Sequence, residues 1–466
     1  MSVTINAKLM LMLDVIYVYP PRTWHGPLAG YGSFGGLANA LQNMPMTEYK
    51  ARRDACRPKV LDKYDIIGFI SSGTYGRVYK AKSRNQDDNR EFAIKKFKPD
   101  REGETHQYTG ISQSAAREIA LCRELHHENI VGLEEVLLED KAIYMVFEYA
   151  EHDFLQIIHH HLHTERKPIP EVIVKSFLWQ LINGVAYLHA NWVLHRDLKP
   201  ANILLTSEGV VKIVLKSSND SIPSASSYPG DLGLARLFNK PLQPLFTGDK
   251  VVVTIWYRAP ELLLSSRHYT KAIDMWAVGC IFGELLALKP IFKGEEAKMD
   301  SKKNVPFQRS QLTKIFETLG TPTSECRKGR ELICTVCAFF LITSFFLSPS
   351  SNLLPDPSSY PNVLQKTYNQ MFGAPGSGSV KNESAFNLLS MMLEYDPAKR
   401  ITAEEALSHP YFNEDPKPAM NSFAQHGTDY PLRRVGPEDN DMKSVKHSNP
   451  TAPKEDARAA KKPRNA

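Results

Sequence analysis

The stretch His195-Arg196-Asp197-Leu198-Lys199-Pro200-Ala201-Asn202 determines how the rest of this 466-residue chain is interpreted. It matches the pattern H-R-D-L-x-x-x-N in a loop between a predicted helix and a predicted strand, a match that rarely arises by chance. The pattern predicts phosphoryl transfer, with Asp197 orienting the attacking hydroxyl, Asn202 binding a metal ion and Lys199 contacting the transferring phosphate. A lysine two residues after the aspartate is typical of transfer to serine or threonine.

Downstream segments supply other parts that such a loop needs. Asp231-Leu232-Gly233 offers a second metal-binding carboxylate, with leucine in place of the usual phenylalanine. Ala259-Pro260-Glu261 closes the activation segment, and Glu261 is expected to form a buried ion pair with Arg400. We expect Asp274-Met275-Trp276 to lie on a helix that braces the loop from below.

Upstream segments are candidates for holding nucleotide phosphates. The loop Ser71-Ser72-Gly73-Thr74-Tyr75-Gly76-Arg77-Val78 can fold backbone amides over a triphosphate, although a plain hairpin turn explains it equally well. In Phe92-Ala93-Ile94-Lys95, the lysine is placed in a strand from which its ammonium reaches the α- and β-phosphates. Its expected partner is Glu118 on the following helix, whereas a strand lysine by itself is usually just solvated.

Strand-like runs precede the loop and helical periods follow it, which predicts an α+β, bilobal fold. We expect a small, strand-rich N-lobe with one main helix over residues 64–149 and a large helical C-lobe over 150–412. Ligands commonly bind in clefts of the kind that lies between two lobes. The runs that carry this prediction are Ile66–Ile70, Val78–Ala81 and Glu91–Phe97 for strands, and Val172–Leu188 and Ala272–Leu288 for helices.

The segments that flank this domain are expected to lack a core. Residues 1–60 show no sustained period, which predicts disorder or a mis-drawn gene model. Residues 413–466 are rich in Pro, Asn, Asp, Lys and Ser and poor in aliphatic residues, which predicts a disordered tail. The basic end of this tail, Lys461-Lys462-Pro463-Arg464, is either solvated or a nuclear import signal.

The composition excludes several classes of protein. The chain is 42% hydrophobic and 23% charged with a net charge of +6, which is ordinary for a soluble protein. Its six cysteines are scattered, and the one C-x-x-C, Cys334 to Cys337, does not predict a zinc site. The apolar run Ile333–Leu347 is shorter than the roughly 20 residues of a membrane-spanning helix. We expect neither a membrane nor direct nucleic-acid contact.

A histidine run near the middle of the chain raises the question of a metal site. His159, His160, His161 and His163 are close in sequence. Adjacent histidines on a helix point in different directions, however. We therefore expect a solvated surface rather than a metal cluster.

From about Tyr64 to Phe412 the sequence resembles the cyclin-dependent kinase family, and within it the fungal kinase of the Mediator kinase module. The resemblance to the family is carried by Gly73-Thr74-Tyr75-Gly76, Ala116-Arg117-Glu118, Val146-Phe147-Glu148-Tyr149, Thr254-Ile255-Trp256-Tyr257-Arg258-Ala259-Pro260-Glu261 and Leu319-Gly320-Thr321-Pro322-Thr323. The likeness to the Mediator kinase is carried by Ser112 to Glu118, Leu232, and Asn304 to Leu312.

The resemblance implies ATP and Mg²⁺ as cofactors and phosphorylation of Ser-Pro or Thr-Pro sites. It implies a C-type cyclin and Mediator kinase-module subunits as partners, RNA polymerase II C-terminal repeats and transcription factors as substrates, and a nuclear location. Catalysis is assigned to Asp197 and Lys199, and metal binding to Asn202 and Asp231. The implied nucleotide contacts are Ile70, Ser71, Ser72, Gly73, Thr74, Tyr75, Gly76, Arg77, Val78, Ala93, Lys95, Glu118, Phe147, Glu148 and Ala150.

The activation segment differs from that of the cell-cycle relatives. Asp249 stands where they carry a phosphorylated threonine, while the arginines expected to clamp that phosphate are present as Arg117, Arg196 and Arg236. An aspartate carries one charge where phosphothreonine carries nearly two. We expect activation to depend on the cyclin and complex partners, with Thr247 as an alternative phosphorylation site.

Two further segments depart from the family pattern. The 16 residues Val214–Pro229 stand before Asp231 as an insertion, and about Glu325–Ser351 an apolar run replaces the expected sequence, as a mis-drawn gene model would. Asn202 and Asp231 must share metal ions, so the first insertion leaves two hypotheses open. The chain is an active kinase with the insertion looped out, or a catalytically impaired kinase-fold module that docks cyclin and Mediator.

Overall fold

The computed structural model describes residues 57–72, 76–97, 113–139, 142–215, 255–264, 270–295, 309–322, 360–372, 382–424 and 430–437. It has the expected α+β, bilobal fold, with the two lobes joined at Tyr149 and Ala150. In these ranges no helix combines the length and apolar character needed to traverse a bilayer.

The N-lobe is built on an antiparallel sheet with the strand order β1-β2-β3-β5-β4. Alternation of side chains buries Tyr79 of β2 and Ile94 of β3 completely on one face. Lys95 pairs with Val78 on one side and Met145 on the other, so it lies in the centre of the sheet, while β1 lies at its edge. The strands are β1 (Tyr64–Ser72), β2 (Gly76–Ser83), β3 (Glu91–Phe97), β4 (Leu133–Glu139) and β5 (Ala142–Glu148).

Two helices pack on this sheet, α1 (Val60–Lys63) and α2 (Gln113–Glu124). Val60 is 1% exposed, and its amide donates to Glu139 Oε2 at 2.9 Å. The expectation of disorder over residues 1–60 is therefore wrong at its end, because a buried valine and a strand carboxylate hold the first turn in place.

The C-lobe is organised around α6 (Ala272–Ala287), whose residues are buried on all sides. A helix that is apolar all round belongs inside a large core, and the sequence predicted this one correctly. Trp276 is fully buried and stacks on Phe292 with ring centroids 5.7 Å apart. The other α-helices in the described residues are α3 (Phe154–His160), α4 (Glu171–Ala190), α5 (Pro260–Leu263), α7 (Arg309–Leu319), α8 (Leu364–Phe372), α9 (Glu383–Met392), α10 (Ala403–Leu407) and α11 (Pro410–Asn413).

A small sheet of β6 (His152–Asp153), β7 (Ile203–Leu205) and β8 (Val211–Ile213) lies where the lobes meet. A 3₁₀ turn at Pro200–Asn202 leads directly into β7. The loop between α4 and β7 is thus fixed at one end by a long buried helix and at the other by a sheet.

The start of the predicted insertion is part of this architecture. The Val214 amide donates to the Asn202 carbonyl at 3.1 Å, and His195 Nε2 donates to the Val214 carbonyl at 2.9 Å. Leu215 is also buried. The chain therefore keeps contact with the catalytic loop at Val214, the first residue of Val214–Pro229, and is still in the core at Leu215. The remaining predictions for that insertion, and those for about Glu325–Ser351, lie outside the described residues.

The chain beyond α11 packs against the domain, so the expected disorder of residues 413–466 is wrong for the part that is described. We call residues 414–424 and 430–437 the C-terminal strap. Tyr430 in the strap is buried, and its hydroxyl lies 3.0 Å from His161 Nε2. His161, expected on a solvated surface, is itself only 3% exposed. A few aromatic and polar anchors hold the strap, which its low aliphatic content does not reveal.

Candidate active site

Asp274 on α6 holds the backbone of the catalytic loop from below. Its Oδ2 accepts from the His195 amide at 2.9 Å and lies 3.0 Å from His189 Nε2, while its Oδ1 accepts from the Arg196 amide at 2.9 Å. Burial disfavours the charge, but the bonds with His189 and the His195 amide outweigh it and hold the pKa of Asp274 below its usual value. The predicted brace is confirmed.

Above this brace, Asp197, Lys199 and Asn202 converge. Lys199 Nζ lies 3.3 Å from Asp197 Oδ1 and 3.1 Å from Oδ2. Asn202 Nδ2 donates to the Asp197 carbonyl at 2.7 Å and to its Oδ2 at 3.0 Å. A cation and an amide thus orient one carboxylate, whose side chain is 40% exposed and open to an incoming hydroxyl. This arrangement suits an acceptor for a hydroxyl proton.

The predicted partner of Lys95 is confirmed. Lys95 Nζ lies 2.5 Å from Glu118 Oε1 and 2.7 Å from Oε2, so β3 and α2 are joined across the N-lobe. Glu118 is only 2% exposed, whereas Lys95 keeps 16% of its side chain accessible. The lysine is held rather than solvated, and its charge remains available to an anionic ligand.

The glycine-rich segment forms the two arms of a hairpin in the described residues. Ser71 pairs with Val78 and Ser72 with Arg77, and Ile70 precedes them in β1. A Cβ at Gly76 would lie 2.2 Å from the Lys96 carbonyl oxygen, so close pairing with β3 requires glycine there. The tip of the hairpin, Gly73, Thr74 and Tyr75, lies outside the described residues.

A small apolar cluster lies at the crossing between the lobes. It comprises Val131, Ala150 and Leu204, with Phe147 and Val214 packed against them. Ala93 lies beside this cluster, because it pairs with Phe147 between strands β3 and β5. Such a surface is suited to a flat aromatic ring. Ala93, Phe147 and Ala150 were predicted as nucleotide contacts.

Glu148 fixes the crossing through its side chain. Its Oε1 accepts from the Gly132 amide at 2.6 Å and from Lys212 Nζ at 2.9 Å. Because these two bonds occupy the carboxylate, Glu148 would contact a nucleotide through its backbone.

Sequence reasoning missed Val131, Leu204 and Val214 as members of this cluster. Leu204 had a usable signal, since it lies two residues after Asn202, in the strand predicted to follow the catalytic loop. Val131 had none, because it stands in a loop far from the motifs in sequence.

The residues predicted to bind Mg²⁺ are Asn202 and Asp231. Asn202 turns its amide nitrogen toward Asp197, and its amide oxygen is the atom that would contact a metal ion. Amide and carboxylate oxygens are the hard ligands that Mg²⁺ prefers, so this donor set fits the ion. Asp231 lies outside the described residues, as do Thr247, Asp249 and Arg236. The backbone of Arg117 lies in α2, but its side chain is outside the description.

The end of the activation segment is anchored as predicted. Glu261 and Arg400 form a bidentate ion pair, with Nη1 to Oε1 at 2.8 Å and Nη2 to Oε2 at 3.2 Å. Their side chains are 3% and 0% exposed. Nearby, the Tyr257 hydroxyl donates to Glu284 Oε2 on α6 at 2.6 Å. The segment that follows the undescribed stretch therefore rests on the core helix.

Glu284 is the buried acid of this anchor. Burial raises its pKa from 4.5 to about 7, against the opposing effects of the Tyr257 hydrogen bond and of Lys293. It therefore keeps its proton in the folded protein at pH values where the unfolded chain has lost it.

The free energy of unfolding is expected to fall as pH rises from about 4.5 to about 7, because the folded state then binds one more proton than the unfolded state. Glu284→Gln keeps an acceptor for Tyr257 and cannot ionise. We expect this variant to match the wild type near pH 4.5 and to exceed its stability by about 3 kcal/mol at about pH 8. Denaturant unfolding across this range measures the difference, and a constant difference would contradict the assignment.

Comparison with known proteins gives consistent results. The family described as "Protein kinase domain" matches residues 64–412. The chain is 55% identical over 416 residues to the serine/threonine-protein kinase SSN3 of Yarrowia lipolytica, covering 89% of this chain and 93% of the relative. It is 57% identical over 392 residues to ssn3 of Aspergillus terreus, covering 83% of this chain and 84% of the relative. For SSN3 of Coccidioides immitis the identity is 56% over 393 residues, with 84% and 79% covered.

Proposed function

Because the chain belongs to the protein kinase family, among the serine/threonine kinases of the SSN3 type, we propose that it transfers the ATP γ-phosphate to Ser-Pro and Thr-Pro sites. We propose further that it does so with a C-type cyclin in the Mediator kinase module, acting in the nucleus on RNA polymerase II C-terminal repeats and transcription factors. The comparisons support the family and the serine/threonine activity, and we propose the substrate, the partners and the location.

The observation that carries the proposal is that both halves of the catalytic arrangement are assembled in the same structure. In the N-lobe Lys95 is already paired with Glu118, and in the C-lobe Lys199 and Asn202 already orient Asp197. Phosphoryl transfer depends mainly on positioning and on neutralising charge, so groups in place before the substrate arrives lower the barrier.

Each described residue then has a role in the proposed reaction. Lys95 contacts the α- and β-phosphates, and Lys199 the transferring phosphate. Asp197 accepts a hydrogen bond from the substrate hydroxyl and takes its proton as the bond from that oxygen to the γ-phosphorus forms, the bond from the γ-phosphorus to ADP breaks and ADP leaves. Asn202, with Asp231, would hold Mg²⁺, which when bound neutralises charge on the phosphates.

The nucleotide base has a site of matching chemistry. The cluster of Val131, Ala150 and Leu204 presents apolar surface at the crossing between the lobes. Apolar walls with a few oriented polar groups are typical of nucleotide pockets. This supports ATP as the phosphate donor.

The cyclin and Mediator assignments rest on sequence resemblance. The first half of helix α2, up to Glu118, lies within the stretch Ser112 to Glu118 that resembles the Mediator kinase. Asp249 in the activation segment supports control by partners rather than by phosphorylation, since a fixed carboxylate needs no activating kinase.

The test is transfer of radiolabelled phosphate from ATP and Mg²⁺ to a polymerase C-terminal repeat peptide, with and without a C-type cyclin. We expect cyclin-dependent transfer, with the Ser-Pro peptide preferred by about tenfold or more over a matched peptide in which alanine replaces that proline.

Equal transfer to both peptides would contradict proline direction, and equal transfer without cyclin would contradict cyclin dependence. Cyclin binding with no transfer, persisting after deletion of Val214–Pro229, would instead favour the alternative of a kinase-fold docking module. The insertion before Asp231 is the specific reason to carry that alternative.

A further inference from the structure

The C-terminal strap is attached to the C-lobe through buried polar side chains of α4. Lys175 Nζ donates to the Glu414 carbonyl at 3.1 Å, and the Ala419 amide donates to Ser176 Oγ at 2.9 Å. Both α4 side chains belong to fully buried residues. Hydrogen bonds that satisfy buried polar groups are costly to break, so this part of the strap is firmly anchored.

A second anchor lies beside the crossing between the lobes. His161 Nδ1 donates to the Lys167 carbonyl at 3.2 Å, so Nε2 of the neutral ring accepts from the Tyr430 hydroxyl at 3.0 Å. His152 Nδ1 donates to the Pro431 carbonyl at 3.0 Å. Tyr430 is 6% exposed and packs on Phe423, with ring centroids 5.0 Å apart. These bonds fix the position of Tyr430 and Pro431 beside the crossing between the lobes.

From there the strap runs past the crossing itself. The Arg433 amide donates to the Glu151 carbonyl at 2.8 Å, one residue beyond Ala150. The Arg433 guanidinium lies 3.9 Å from Asp153, at the start of α3. The strap is therefore tied to the residues about which the two lobes would rotate.

The strap ends on the N-lobe, at the outer edge of β1. Gly436 donates to the Phe69 carbonyl at 2.7 Å, and Phe69 donates to the Gly436 carbonyl at 3.2 Å, a reciprocal antiparallel bridge. A Cβ at Gly68 would lie 2.5 Å from both the Gly436 oxygen and Val435 Cγ1. The strap therefore pairs, at Phe69, with the edge strand of the sheet.

We propose that the C-terminal strap is a second connection between the lobes and positions β1 for nucleotide binding. Phe69 immediately precedes Ile70, Ser71 and Ser72, so the bridge to Gly436 fixes the strand that leads into the glycine-rich loop. Rotation of two lobes about a crossing is a slow collective motion, and a second tether narrows the range of interlobe angles. Phe69 and Gly436 are positioning residues, since neither is proposed to touch the nucleotide. This inference rests on the proposed ATP site.

A narrower range of interlobe angles changes the affinity for the nucleotide rather than the rate of phosphoryl transfer. A ligand that binds only when β1 is in place has an apparent dissociation constant inversely proportional to the fraction of protein in that arrangement. Releasing the strap lowers that fraction, whereas Asp197 and Lys199 stay attached to the C-lobe. The expected signature is weaker nucleotide binding with an almost unchanged kcat.

Two full-length variants release the strap from opposite sides. Gly68→Ala introduces a methyl group on β1 whose three nearest neighbours would all be strap atoms. Gly436→Pro removes the donor of the 2.7 Å bond to Phe69. Leu432→Ala is the matched control, because Leu432 lies in the strap but is 65% exposed.

The measurements are hydrogen exchange of the peptide 64–72 in nucleotide-free protein, the dissociation constant of a fluorescent ADP, and KM and kcat for ATP. We expect both variants to exchange faster in this peptide and to bind ADP about five- to tenfold more weakly, with kcat within about twofold of wild type. Leu432→Ala should match the wild type in every measurement.

Faster exchange with unchanged ADP affinity would overturn the proposal, because the strap would then only cover an edge. Unchanged exchange in both variants would overturn it as well, because the bridge to Gly436 would then not hold β1 in place. Failure of the wild type itself to bind ADP would refute the nucleotide site and with it this role. The wild-type binding measurement thus separates a failure of the proposed function from a failure of the strap.

Discussion

Replacing Asp197 with asparagine is expected to lower the kcat for peptide phosphorylation by about 10³-fold. The carboxylate is the group that Lys199 and Asn202 orient toward an incoming hydroxyl, and an amide of the same shape cannot take up the proton. Asparagine preserves size and can still accept from Asn202, so the loop should keep its conformation. Single-turnover transfer to a Ser-Pro peptide measures the effect directly.

Two controls separate loss of the base from loss of the fold. The Asp197→Asn variant should bind ADP and melt as the wild type does, because the braces from Asp274 attach to the backbone. Asp87→Asn makes the same chemical change at an exposed loop position and should leave kcat unchanged. A kcat for Asp197→Asn within about tenfold of wild type would exclude Asp197 as the base.

Replacing Arg400 with methionine is expected to lower the free energy of unfolding by about 3–5 kcal/mol, the loss typical when one partner of a buried ion pair is removed. Glu261 would lose its partner in a site where it is 3% exposed. Three backbone carbonyls would also lose a donor, since Arg400 donates to those of Ala272 at 2.8 Å, Glu394 at 2.9 Å and Tyr395 at 3.5 Å. Its guanidinium further lies 5.0 Å above the ring of Trp276.

Chemical denaturation of the Arg400→Met variant measures this loss. Lys314→Ala is the matched control, since its pair with Glu317 spans 2.8 Å but both side chains are more than 40% exposed. Removing that pair should change stability by less than about 0.5 kcal/mol. A loss below about 1 kcal/mol at Arg400 would indicate that water or another cation replaces it.

Much of this site was predictable because its functional residues stand at fixed distances from one another along the sequence. The eight residues from His195 place a base, a cation and an amide on one short loop, and the turn at Pro200–Asn202 brings them together. Lys95 and Glu118 are farther apart in sequence, yet a central strand and an adjacent helix leave few other ways for them to meet.

The rest was not predictable because it depends on partners without periodic pattern. The strap has neither strand alternation nor helical period, and its bonds run from single backbone groups to Ser176, His152 and Glu151. His161 appeared solvated because its neighbours are histidines, whereas its burial depends on Tyr430, a residue far away in the chain. The composition of a segment predicts how exposed its residues are on average, whereas the burial of the strap and of His161 depends on a few specific contacts.

The attachment of the catalytic loop to Asp274 has a consequence for how the protein loses activity. Asp274 lies on a helix buried along its length, and it holds consecutive amides, of His195 and Arg196. Opening of the loop alone is costly, because freeing those amides takes two donors from a buried carboxylate. Local opening and collapse of the helical core are therefore one cooperative event. On heating, the catalytic loop should survive as long as α6 does.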